Sequence, residues 1–249
     1  MSKQALSKKV IHICIISIII IGIVFTALMF ILEYDENGEV NMPFIINKIS
    51  VISTVDGQDV ENPQAKWDLR VNQNNDIYLY IEKNNNYNKT ETISTVKIDN
   101  LKTEKKSNIG EIKFYRQSQD EKQLYKNIEE NVFDSLEYIG AKSSNSKKLE
   151  ISNQGGIVEF RCANNNIGLY KSDEDTEINH GELLKKININ EEDLYANIFF
   201  DLTIKLDSGK IFKAEGIKLT IPNSDLITNG KVGQEHDFSE KIVFKRIEN

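Results

Sequence analysis

The chain is 249 residues long, with 31 basic and 38 acidic residues, a formal charge of −7 and only two cysteines. Three of the basic residues (Lys3, Lys8, Lys9) precede Val10 and every Asp and Glu follows Leu32, so the part after residue 32 carries 28 basic against 38 acidic groups, a charge of −10. Such a surface repels phosphate backbones and argues against nucleic acid as a partner, and with Cys162 as its lone cysteine that part can form no internal disulfide.

The first element is apolar. Val10 to Leu32, VIHICIISIIIIGIVFTALMFIL, is 23 residues without a formal charge. As a helix it would reach about 35 Å, enough for a hydrocarbon layer of about 30 Å. No small-x-small cleavage site follows it, so the expectation is an uncleaved signal anchor. Lysines lie on one side and Glu33, Asp35, Glu36 and Glu39 on the other. The positive-inside rule then makes residues 1–9 a cytoplasmic tail, 10–32 the membrane span, 33–43 a short linker and the rest extracellular. The abundance of Ile, Asn and Lys fits an AT-rich bacterial genome.

Beyond the linker, period-two alternation predicts strands at 44–54, 66–71, 76–83, 92–99, 111–116, 148–152, 157–162 and 241–247. A hairpin is expected where Phe200, Leu202, Ile204 and Leu206 alternate with polar residues, turn at Asp207-Ser208-Gly209 and return through Ile217, Leu219 and Ile221. Helical signals are short: Asn179 with Glu182 as a capping box, Asn190 before three acids, and Leu124, Ile128 and Val132 spaced by four over about 121–131.

An internal repeat stands out. DLRVNQNNDIYLY (68–80) aligns with EFRCANNNIGLY (159–170) when one residue is deleted. Asparagine tolerates positive φ, so each copy reads as strand, asparagine turn, strand. The repeat predicts two tandem β-sandwich modules, 44–142 and 143–249, with a single larger sandwich as the alternative. On these elements the fold class is mostly β with short helices, and the ectodomain resembles immunoglobulin-like β-sandwiches of bacterial surfaces. That resemblance implies a fold and no particular activity.

No His-Glu-x-x-His pair, Gly-x-Ser-x-Gly elbow or glycine-rich phosphate loop is present. A cysteine-nucleophile reading needs Cys162 with His180 and Arg161, but alternation sends Arg161 to the face opposite Cys162, which is expected to be a small core residue. Asp173, Asp175 and Glu177 match the first positions of a calcium loop, but Ile178 replaces the turn glycine and Leu184 the bidentate glutamate. A solvated acidic loop is expected there, with those three acids as the candidate ligands should calcium bind and no other cofactor implied. Tyr78 and Tyr80, near Trp67 and Tyr87, are candidate partner contacts. The expectation is a non-catalytic binding or assembly module at the cell envelope, anchored in the membrane through residues 10–32 and meeting an envelope protein or polymer. The alternatives are a carboxylate-based glycosidase and a structural subunit assembling by strand addition along 44–54.

Overall fold

The computed structural model describes residues 16–28, 42–61, 64–87, 89–118, 123–141, 149–175, 177–221, 224–238 and 242–247. Residues 16–28 form helix α1, whose large apolar side chains are exposed. The rest of the expected span, 10–15 and 29–32, lies outside the described residues, as do the tail 1–9 and linker residues 33–41. Among the described residues no helix is long and apolar enough to cross a membrane. The chain divides into two compact units, Met1–Val40 and Asn41–Asn249.

The second unit is mostly β. In chain order its strands are β1 (Phe44–Asp59), β2 (Trp67–Lys83), β3 (Ile93–Lys105), β4 (Glu111–Tyr115), β5 (Leu136–Gly140), β6 (Leu149–Ile151), β7 (Gly156–Ser172), β8 (Ala196–Leu206), β9 (Ile211–Thr220), β10 (Lys231–Asp237) and β11 (Lys245–Ile247). Helices α2 (Leu183–Lys186), α3 (Glu191–Leu194) and α4 (Ser224–Asn229) are short. One sheet runs β10-β1-β2-β7-β4 and the other β11-β9-β8-β3-β5-β6. Alternation put the apolar side chains of both on one face: Ile49, Ile77, Leu79 and Phe160 from the first meet Ile98, Phe200, Leu202 and Ile204 from the second in one core. Phe160 meets Phe200 edge-on across the gap, 5.7 Å between ring centres.

The asparagine stretches correct the expectation of turns. Residues 72–75 and 164–166 lie inside unbroken 17-residue strands, β2 and β7. The two copies of the repeat are neighbours in one antiparallel ladder, with Gln73 opposite Asn164, Asn74 opposite Ala163 and Asn75 opposite Cys162. The amides of Asn74, Asn75, Asn164 and Asn165 find partners beyond their own backbone, where a lone hairpin turn would use its own, while Asn72 Nδ2 is buried with none among the described residues. Asn75 Nδ2 donates to the Cys162 carbonyl at 2.9 Å and Ser53 Oγ donates to Asn75 Oδ1 at 2.7 Å. A shift of register between Val71 and Gln73, with Asn166 at φ 56°, relieves the mismatch.

This pairing also overturns the division at 142/143. β2 and β3 precede that boundary and pair with β7 and β8, which follow it, so both sheets mix the two halves. Nor is 44–54 an edge: β1 is flanked by β10 and β2. At their far ends β1, β2 and β7 run past the second sheet, and there Val55, Leu69, Val71 and Ile167 pack against Leu183, Leu184, Leu194 and Leu226 of the short helices. Buried Ser53, Gln73, Asn75 and Asn164 stand between this small core and the large one.

The β8–β9 hairpin forms as predicted, closed through Gly209 at φ 87°. The helix expected over 121–131 does not: residues 121–122 lie outside the described residues, and only Glu129–Asn131 make a 3-10 turn. Asn179 caps a 3-10 turn at His180–Glu182 by accepting from the Gly181 N–H, 3.0 Å.

One polar clasp ties the second sheet together. Asp201 on β8 accepts from Asn100 Nδ2 of β3 (2.6 Å), the Gly216 N–H of β9 (2.8 Å) and Lys213 Nζ (2.8 Å). Asn100 (φ 53°) and Gly216 (φ 63°) adopt left-handed conformations at register shifts on either side of β8, which bring both donors onto the carboxylate. Burial alone would raise the Asp201 pKa, but these three partners outweigh it and hold it below the ordinary value. A folded-state pKa lower than the unfolded one contributes stability above about pH 4 that is lost as the carboxylate is protonated. Asp201→Asn is therefore expected to cost about 2 kcal/mol at neutral pH. Urea titrations from pH 7 down to about 3 should show that gap to wild type closing. A gap that does not change with pH would show that the charge of Asp201 is not what the clasp uses.

Candidate functional site

The outer face of the first sheet carries the side chains that alternate with the core. Register places Lys48, Tyr80 and Ile157 in one row, Ser50, Tyr78 and Glu159 in the next, and Asp76, Arg161 and Tyr115 in a third. Arg161 is the hub. Its Nε and Nη2 donate to the two oxygens of Asp76 at 2.6 and 3.1 Å, and Nη1 donates to Asn127 Oδ1 at 3.2 Å. Its guanidinium lies 4.6 Å from the ring centre of Tyr125. Both charged side chains are about 85% buried, at 14% and 15% exposure.

Tyr125 and Asn127 belong to an irregular strap between β4 and β5 that crosses this face. Asn127 Nδ2 donates to Asn74 Oδ1 (2.8 Å) and Asn165 Oδ1 (3.3 Å), and Asn165 Nδ2 donates to the Tyr115 hydroxyl at 2.9 Å. The Tyr125 hydroxyl is buried without a hydrogen-bond partner among the described residues, and burial drives its pKa far upward. Tyr78 is pushed up to about 12, foremost by burial and then by the charges of Asp76 and Glu159. Burial, reinforced by Asp76, also raises Glu159. Beside the strap opens a cleft of about 550 Å³, lined by Thr54, Asp56, Gln58, Asn74, Asn127 and Arg161 among others.

Tyr78 and Tyr80 both lie on this outer face and are half-buried. Lys48 Nζ sits 4.7 Å from the Tyr80 ring centre and pairs with Glu235 at 2.7 Å. Trp67 packs instead against the small core at the far end of the sheet.

The acidic loop is arranged differently from a calcium loop. Asp173, Asp175 and Glu177 are exposed, and Asp175 pairs with Lys66. Among the described residues no three or more His, Cys, Asp or Glu side chains stand close enough to hold a metal ion. Cys162 faces the main core, fully buried, and burial pushes its thiol up to about 12. Arg161 points to the opposite face, while His180 Nδ1 accepts the Gly57 N–H at 3.1 Å and lies 3.2 Å from Asp56. The three residues of the cysteine-nucleophile arrangement do not meet.

Sequence reasoning missed Asp76, Asn127 and Tyr125. An acid and a base 85 residues apart become partners only once β2 and β7 are known to be neighbours; the repeat held that signal, since it aligns the strands that pair. No family model matches the chain, and neither does any curated protein or solved structure.

Proposed function

We propose that the chain is a single-pass, membrane-anchored binding or assembly module of the cell envelope, non-catalytic, with its N-terminus cytoplasmic and its β unit outside. The uncharged 23-residue run and the lysines before it support the anchor and its orientation. The observation that carries the binding reading is the outer face of β1, β2 and β7. There Tyr78, Tyr80 and the Arg161–Asp76 fork stand on paired strands beside an open cleft. Aromatic and arginine side chains held on rigid elements present contact area at low entropic cost. The immunoglobulin-like resemblance, in this reading, is one of two-layer architecture.

The test uses the full chain on intact cells. A photoreactive phenylalanine analogue in place of Tyr80 should capture one defined envelope component, and the same group in place of Lys205, exposed on the other sheet, should not. Equal capture from both positions, or none from either, refutes the assignment of this face. External protease should reach the β unit on the same cells; full protection would refute the orientation.

A further inference from the structure

We infer that the cleft beside the strap takes a neutral, polyhydroxylated ligand, a short saccharide segment. The inference rests on the binding-module reading and names its ligand class.

The lining decides the chemistry. Carboxamides Gln58, Asn74, Gln123 and Asn127 and the hydroxyl of Thr54 dominate it, while Val55 and Ile128 are its aliphatic members. An apolar ligand would cover the exposed amides of Gln58 and Gln123 without pairing them, at a cost for each one left so. An anion fares no better. The Arg161 charge is already matched by a two-bond fork to Asp76, and Asp56 lines the same space. A cation meets Arg161 and Lys126 there. A carboxamide donates through nitrogen and accepts through oxygen at fixed spacing, and a sugar hydroxyl both donates and accepts, so a row of amides suits vicinal hydroxyls.

Geometry adds pre-organisation. Asn127 is held by Asn74, Asn165 and Arg161, and Arg161 is held by Asp76 and lies against the Tyr125 ring, so one wall is fixed in place by its own hydrogen bonds. Gln58 and Gln123 are exposed on the rim, free of burial and able to close on a ligand. The volume of about 550 Å³ lies in the usual range for ligand pockets.

The probes are maltotriose, cellotriose and N,N′,N″-triacetylchitotriose, titrated calorimetrically into the full chain in detergent, with inorganic phosphate as the charged comparison. At least one trisaccharide should bind, and Gln58→Ala should weaken it about tenfold, the equivalent of one hydrogen bond. Gln58 is a surface residue, so the variant keeps its fold, and Asn74→Ala should act in the same direction. Lys205→Ala on the far sheet should leave binding unchanged. Silence from all three sugars at about 10 mM, an affinity weaker than any useful recognition, overturns the inference. So does phosphate binding at least as tightly, or a trisaccharide response that Gln58→Ala leaves intact. If the sugars are silent while position 80 still captures one component on cells, the saccharide assignment fails and the binding module stands.

Discussion

Phe160→Ala should lower the unfolding free energy by about 4 kcal/mol, the middle of the range for removing a core aromatic. The ring is fully buried and touches three others: Phe114 at 6.2 Å, Phe133 at 6.1 Å and Phe200 at 5.7 Å between centres. Those partners come from β4, the segment before β5, and β8, so a single truncation opens a void where both sheets and the strap meet. The backbone around it is pinned by ladders to β2 and β4 and cannot collapse inward to fill the space. For a unit of this size about 4 kcal/mol corresponds to a fall in melting temperature of about 10 °C. Urea denaturation checks it, and Phe160→Leu should recover part of the loss. A cost below about 1 kcal/mol would mean that Phe160 is not the centre of the core.

The second large effect concerns the fork on the outer face. Asp76→Ala leaves the Arg161 guanidinium against Tyr125 with Asn127 as its remaining side-chain hydrogen-bond acceptor among the described residues, and breaking a largely buried pair by removing one partner costs about 3 kcal/mol. Arg161→Ala should cost as much, since it strips the packing under Tyr125 as well as the charge. The double variant should be less damaged than the sum of the two, by about 2 kcal/mol, because each single change leaves the other charge stranded. Strict additivity in that cycle would reduce the fork to two independent surface groups. The strap gives a second readout: with Arg161 gone, Asn127 loses one of its three partners, and hydrogen exchange in residues 123–132 should quicken.

Much of this fold could be read from alternation. The β8–β9 hairpin, the opposite facing of Arg161 and Cys162, and the strand character of 44–54 follow from period two alone, because a face that packs must repeat every second residue. The asparagine runs could not be read that way. Asparagine is scored as a turn former because an isolated amide finds its partner in its own backbone; Asn75 finds Ser53 and the Cys162 carbonyl, contacts set by strands far away in sequence. The same non-local pairing converted a repeat that suggested two modules into two adjacent strands of one sheet. The strap was misread for a related reason: Leu124 and Ile128 keep helical spacing, yet both are exposed, and the segment is held by Tyr125 and Asn127 against the sheet.

The placement of β1 has a mechanical side. A pull directed along β1 would load its register with β10, seven residue pairs, and with β2, fifteen. Antiparallel hydrogen bonds run perpendicular to the strands, so tension along β1 loads them side by side, in shear, where tension across the strand would open them one at a time. From Phe44 such a force passes three pairs with β2 before it reaches the irregularity between Ile46 and Lys48. Tension entering at Phe44 is thus carried first by β2 alone and, from Lys48 onward, by β10 as well.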